Sequence, residues 1–412
     1  MIKELDPNEI NKIRESIAEK RIDQMKDESE IKARFDLINK IRDSVDIIPN
    51  KIVFLNFSGN YDCNLKPIAN EILRRGLDYE LIWGTFEHNH LDDPDNFPSS
   101  IKVFVRETYE FYVHLASAKI IIDNSINMNL IGYKKKPGQI LIETWHGAMG
   151  IKKFGPDGND DFAWHKLARE EALSTDYIIS NSGLENKVYR DTFWTETPVL
   201  KYGHPRNDIL FLKNKKQIET IKNNILDRYR ISNDKKICLY APTFRDDHNL
   251  DVYMFDIEKL KLALNQRFGG DWVILCRYHD GIIRTYWDYT KFPDGVINVS
   301  DYPDIQELML IIDAGITDYS SWICEYVLRK KPGFLYAPDY EQYSTSERKL
   351  LIPLEETPFP LATNEEMLFD NIRSFDNKKY VKSCKAFIKK HGNVDKGKAS
   401  KKLVNKIVSL LK

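Results

Sequence analysis

His146 is the side chain in this sequence best placed to trade a proton near neutrality, because an imidazole titrates at about pH 6.5. It stands in Leu141-Ile142-Glu143-Thr144-Trp145-His146-Gly147, and Lys152-Lys153-Phe154-Gly155 follows a few residues on. An apolar, β-like run from Gln139 to Ile142 thus passes through an aromatic and a histidine into glycines, then into two cations. Glycine lets a backbone approach a ligand closely, and open α/β sheets bind ligands beyond the carboxyl ends of their strands. One histidine beside a glycine is otherwise an ordinary turn residue. Distant segments must supply partners before it becomes a site.

Three later strand-like runs end in such partners. Ile237 to Tyr240 leads to Thr243, Arg245 and Asp246, and Val273 to Cys276 leads to Arg277 and His279, whose alternation puts them on one strand face. Ala314 to Ile316 leads to Thr317-Asp318-Tyr319-Ser320-Ser321, ahead of a helix-like Trp322 to Leu328. Ser320 and Ser321 therefore fall at a helix N-terminus, where free N–H groups and the helix dipole favour phosphate. Each feature alone has a plain structural explanation, since serines cap helices and arginines pair with carboxylates. Their convergence on one sheet edge points to a diphosphate site, with a histidine from a facing domain taking the proton of an attacking hydroxyl.

The sequence carries no DxD-type pair at a strand end, no Walker A loop and no clustered carboxylates resembling a Mg²⁺ site. Phe57-Ser58-Gly59-Asn60-Tyr61 after the first strand does not match GxGxxG, so a dinucleotide has no support. The expectation is a site without metal or cofactor, in which cationic side chains neutralise the charge.

The elements that must position these residues alternate strand-like and helix-like runs, the mark of a parallel sheet with crossovers. One series runs from Ile52–Phe57 through Tyr79–Trp83, Ile101–Val105, Lys119–Asn124 and Gln139–Ile142 to Tyr177–Ser182 and Val199-Leu200. A second runs from Lys236 through Trp272–His279, Gly295–Val299 and Leu310–Asp318 to Gly333–Tyr336. The expected organisation is an N-terminal helical segment (1–48), a Rossmann-like acceptor domain (49–213), a helical connection (214–234), a Rossmann-like donor domain (235–375) and C-terminal helices (376–412). Ile10, Ile13 and Ile17, then Ile31, Phe35, Ile38 and Ile41, give the N-terminal helices an amphipathic spacing.

The 412 residues are 42% hydrophobic and 12% aromatic, enough for packed cores and against disorder. With 61 Lys+Arg against 62 Asp+Glu the net charge is −1, which gives no global case for nucleic acid. Five scattered cysteines without metal spacing suit a reducing cytosol. No apolar region follows Met1-Ile2-Lys3-Glu4, and no run approaches the ~18 apolar residues of a spanning helix. The expected location is cytoplasmic, with peripheral contact at the inner face of the membrane allowed.

Thr144-Trp145-His146-Gly147 with Lys152-Lys153-Phe154-Gly155, Gly203-His204-Pro205-Arg206-Asn207-Asp208, Tyr240-Ala241-Pro242-Thr243-Phe244-Arg245-Asp246, Arg277-Tyr278-His279 and Thr317-Asp318-Tyr319-Ser320-Ser321 occur in one order. With Lys331-Pro332 and Tyr336-Ala337-Pro338-Asp339, the set resembles the CDP-glycerol glycerophosphotransferase family of teichoic acid primases, polymerases and related capsule enzymes. The resemblance implies a GT-B arrangement of two Rossmann-like domains facing across a cleft. It implies transfer of an alditol phosphate from CDP-glycerol or CDP-ribitol to a lipid-linked or polymer hydroxyl, releasing CMP. It also implies that His146 is the base, that Arg277 and His279 meet the pyrophosphate, and that Ser320 and Ser321 bind phosphate. Thr243, Arg245, Thr317 and Asp318 join the donor side, and Glu325 meets the ribose. Trp145, Gly147, Lys152, Lys153, Arg206 and Asp208 are acceptor-side or structural candidates. Two departures stand out: Ala148-Met149-Gly150 replaces the Thr-Pro-Leu common after Trp-His-Gly, and Ser344-Thr345-Ser346-Glu347-Arg348 lacks an expected Gly-rich stretch. A nucleotide-sugar glycosyltransferase and a non-catalytic assembly scaffold are the rival readings.

Overall fold

Successive residues of the first strand, β1 (Ile48–Leu55), enter two different cores, as the alternation of side chains along a strand requires. Val53 and Leu55 pack with Ile13, Ile17, Ile38 and Ile41, whereas Ile52 and Phe54 pack with Leu65, Ile68 and Ile72. A sheet apolar on both faces must be covered on both. In the computed structural model, which describes residues 6–22, 25, 27–86, 96–147, 150–155, 162–245, 251–278, 295–346 and 349–411, helices do the covering.

The first sheet contains β1, β2 (Glu80–Thr85), β3 (Lys102–Val105), β4 (Ala118–Asp123), β5 (Ile140–Glu143), β6 (Tyr177–Ile179) and β7 (Val199–Leu200). Its order is β3-β2-β1-β4-β5-β6-β7 and every pairing is parallel. The second contains β8 (Lys236–Tyr240), β9 (Trp272–Cys276), β10 (Val296–Asn298), β11 (Ala314–Thr317), β12 (Gly333–Tyr336) and β13 (Leu361–Ala362). Its order is β10-β9-β8-β11-β12-β13, again all parallel. Strand order reverses between β1 and β4 in one sheet and between β8 and β11 in the other. Those reversals open the crevices in which such folds hold ligands.

On one face of the first sheet lie the helices Pro7–Glu19, started by Asp6, and Glu28–Ser44, started by Asp27, with Tyr109–Ser117 beneath them. On the other face lies Leu65–Arg74, joined by the terminal helix Ala399–Leu410, whose Leu403, Val404 and Ile407 are fully buried there. The chain therefore returns to its first lobe after completing its second.

One expected strand divides. Leu310 and Ile311 end the helix Ile305–Ile311, whose N-terminus Asp304 caps through the amides of Gln306 and Glu307, and only Ala314–Thr317 pairs in the sheet. A buried helix and a buried strand share an apolar composition, so the run Leu308 to Ile316 carries no signal of where one stops.

Candidate active site

Asn124 follows β4, and its carbonyl lies 2.6 Å from His146 Nδ1. A carbonyl can only accept, so Nδ1 carries a proton, and in the neutral form of the ring the lone pair then falls on Nε2. The rings of Phe57 and Trp145 lie against the imidazole, with centroids 4.6 and 4.4 Å away.

The turn that presents His146 is held from several sides. Trp145 has φ 50°, a left-handed conformation that a bulky residue adopts only when its surroundings impose it. Its N–H donates to Glu143 Oε1 at 2.5 Å, and its carbonyl accepts from Asn64 Nδ2 at 2.9 Å. Its indole packs among Phe154, Trp164 and Trp194. Trp145 is thus an anchor for the turn. Gly147 completes it, since a Cβ there would meet the Trp145 ring at 3.3 Å.

The segment carrying the two lysines crosses to the second lobe. Ile151 is fully buried in the second lobe's core, its carbonyl accepts from Leu351 N, and Lys153 N donates to Lys349 O at 2.9 Å. Lys152 pairs across a bridge with Leu350. Lys152 and Lys153 consequently lie on a backbone seam between the lobes.

Two ion-pair sets share that seam. Lys66 Nζ lies 2.9 Å from Asp304 and 2.8 Å from Glu307. Burial alone would depress its ammonium, but those two carboxylates hold it above the usual lysine range. Arg206 donates to the His146 carbonyl and forks onto Glu325, and Gln306 Nε2 donates to the same Glu325 at 3.1 Å. The guanidinium charge is held well above its ordinary range, burial being outweighed by Glu325.

The rest of the Gly203–Asp208 motif is structural. His204 is fully buried, its Nε2 lies 2.9 Å from Glu185 Oε1, and its Nδ1 lies 3.1 Å from Asn64 Nδ2. Burial would lower its pKa, but Glu185 raises it above the ordinary value. Asp208 accepts from the amides of Ala399 and Ser400 at 2.8 Å each, fastening the start of the terminal helix.

On the second lobe the expected donor residues separate into two groups. Thr243, Arg245, Thr317, Asp318 and Glu325 are buried, and their contacts are with the protein itself. Asp318 accepts from the amides of Thr243 and Tyr319 and lies 2.9 Å from Arg245, which also forks onto Asp339. Thr317 Oγ1 donates to Ala241 O at 2.7 Å. Arg245, Asp318 and Thr317, expected on the donor side, have their polar groups engaged by protein partners at 2% exposure or less. Glu325, expected at the ribose, is instead closed off by Arg206 and Gln306. Ser320 and Ser321 stay half-buried at the start of the short helix Trp322–Tyr326, and Arg277 stays half-buried with its guanidinium on the Tyr302 carbonyl. His279 and Asp246 lie outside the described residues.

The fold also assembles what no local spacing announced. Asp123, Glu143 and Glu171 bring one ligand atom each within 4.8 Å of the others, fully buried beneath the His146 turn. Burial pushes all three carboxyls above their usual range, and their mutual repulsion adds to it for the two glutamates. This corrects the sequence reading of no clustered carboxylates, because the three come from the ends of β4 and β5 and from the helix Phe162–Ser174. Asp62 was missed as well. It is buried at the seam, where Asp304 and Arg277 of the second lobe both act on it.

Two parallel Rossmann-like sheets, joined along a seam that carries the His146 turn, define a two-lobed α/β class of protein. The chain belongs to the CDP-Glycerol:Poly(glycerophosphate) glycerophosphotransferase family, which it matches over residues 37–409. It is 30% identical over 404 residues to the teichoic acid poly(glycerol phosphate) polymerase of Staphylococcus epidermidis, covering 95% of this chain and 54% of that protein. It is also 30% identical over 397 residues to the teichoic acid glycerol-phosphate transferase of Staphylococcus aureus, covering 92% and 97%. The chain thus spans about half the length of the first relative and nearly all of the second. Among solved structures it resembles the wall teichoic acid polymerase TagF, with 28% identity, a TM-score of 0.76 and coverage of 99% and 98%.

Proposed function

We propose that the protein transfers glycerol phosphate from CDP-glycerol to a hydroxyl of a lipid-linked or polymeric acceptor, releasing CMP, on a GT-B arrangement of its two lobes. Family membership supports the donor class. The observation that carries the mechanism is the Asn124 carbonyl on His146 Nδ1, which leaves Nε2 as the base. The acceptor hydroxyl gives its proton to Nε2 while its oxygen bonds to the glycerol-bearing β-phosphorus. The phosphoanhydride bond breaks, and CMP leaves with the bonding electron pair. Arg277 and the amides at Ser320 and Ser321 neutralise charge on the transferring group.

None of the described helices is long and apolar enough to cross a membrane. The reading places the chain at the cytoplasmic face, in peripheral contact with the membrane that carries its acceptor. His146→Ala is expected to lower CMP release by about 10²-fold to 10⁴-fold while leaving CDP-glycerol binding intact. Turnover that survives this change refutes the base assignment. CDP-ribitol and UDP-sugars offered in parallel separate the glycerol reading from its ribitol and glycosyltransferase rivals.

A further inference from the structure

Arg206 stands at the start of the short helical turn Pro205–Phe211, with its backbone N–H 3.2 Å from Asn64 Oδ1. Its side chain reaches three places at once. Nη1 donates to the His146 carbonyl and approaches Cys63 Sγ at 3.4 Å, while Nε and Nη2 fork onto the two oxygens of Glu325. The Arg206 and Glu325 side chains are 9% and 1% exposed. Glu325 follows Ser321 by four residues, one turn along the helix Trp322–Tyr326. A single guanidinium therefore joins the backbone of the histidine turn to the helix that begins at Ser320 and Ser321.

We propose that Arg206 is a positioning residue for phosphoryl transfer: held by Glu325, it sets the spacing between His146 on one lobe and the Ser320–Ser321 helix start on the other. This rests on the reading of His146 as the base. A planar fork with both carboxylate oxygens engaged fixes direction as well as distance, which a lysine ammonium on a flexible stem does not. Gln306 occupies Glu325 from a further side, so the carboxylate is oriented before any ligand arrives. Phosphoryl transfer depends on such alignment, and a displacement of about 1 Å costs roughly 10²-fold in rate.

Arg206→Lys, Arg206→Gln, Glu325→Gln and the double variant Arg206→Gln/Glu325→Gln test this by CMP release and by calorimetric titration with CDP-glycerol. Each variant is expected to lose about 100-fold in kcat with the donor Kd and KM within about threefold of wild type. The double variant is expected to be no worse than either single one, because all break one tie. It also leaves no lone buried charge, so it keeps the test available where Arg206→Gln unfolds. A tenfold weaker donor Kd in Glu325→Gln would make Glu325 a ribose ligand and overturn the proposal. So would multiplicative losses in the double variant, or a lowered Tm with kcat per donor-binding site unchanged. Wild-type protein that releases no CMP from CDP-glycerol sinks the transferase reading and this inference with it. An active wild type with unperturbed variants sinks the inference alone.

Discussion

Arg245 Nε lies 2.6 Å from Asp339 Oδ2 and its Nη2 3.1 Å from Asp339 Oδ1, a two-pronged pair at 1% exposure of the arginine. The rings of Tyr319 and Tyr343 lie 4.8 and 5.0 Å from the guanidinium carbon, and Asp318 adds a second carboxylate. The strand-end arginine that sequence spacing offers to a diphosphate is thus the centre of a buried ionic network.

Truncating that centre strands two carboxylates. Arg245→Ala is expected to destabilise the protein by about 3–5 kcal/mol, and Arg245→Lys to recover little, since a point charge does not replace the fork. Urea unfolding measures both. A variant of wild-type stability that has lost CDP-glycerol binding would put the guanidinium on the donor instead.

Asp62 makes stability depend on pH. Burial, with Asp304 adding to it, pushes the carboxyl up to about 7 against the opposing hydrogen bonds from Asn56 and Ser58 and the charge of Arg277. The folded state therefore holds a proton that the unfolded chain, with an aspartate pKa of about 3.9, releases earlier. Its contribution falls as pH rises from about 4 to about 7 and is level above that. Asp62→Asn is expected to flatten this slope and to gain on wild type at pH 8 relative to pH 5. Parallel melting curves for the two proteins would contradict the assignment.

Gly203 has φ 91°, and a Cβ there would stand 2.5 Å from Asp395 Oδ1, the atom that accepts from His204 N. Gly203→Ala is expected to cost several kcal/mol, about 1–3 of them from the backbone conformation alone. A melting temperature within a degree or two of wild type would show that the Asp395 contact relaxes without loss.

The proposed chemistry assigns charge neutralisation to arginine and amides. Turnover in EDTA is expected to match turnover in Mg²⁺. Loss of CMP release in EDTA with recovery on adding Mg²⁺ would overturn that assignment and direct attention to Asp123, Glu143 and Glu171.

Much of the fold was legible because buried parallel strands are apolar and short. Gly333–Tyr336 is read with the bounds that β12 has, and Ile52, Val53 and Phe54 mark β1. The boundary at Leu310 was not, because helix and strand there bury the same residue types. The site divides in the same way. His146 is visible from its turn, but Asn124, which fixes its tautomer, acts through a backbone carbonyl, and a carbonyl leaves no trace in residue type. Arg206 and Glu325 are 119 residues apart, and Asn64 and His204 are 140 apart. Motif spacing shows that such residues matter, yet only the fold shows which ones face each other. The buried pairs also mimic a ligand site in sequence, since cations and hydroxyls at strand ends serve a phosphate or a neighbouring carboxylate equally well.

The helix Ala399–Leu410 has a consequence for how the protein is made. Its Leu403, Val404 and Ile407 complete an interior begun more than three hundred residues earlier by Ile52 and Phe54. During synthesis the leading lobe must wait, with that face covered only in part by Leu65–Arg74, until the trailing lobe and residues 399–410 have left the ribosome. Its final closure is a late event even though its strands emerge first.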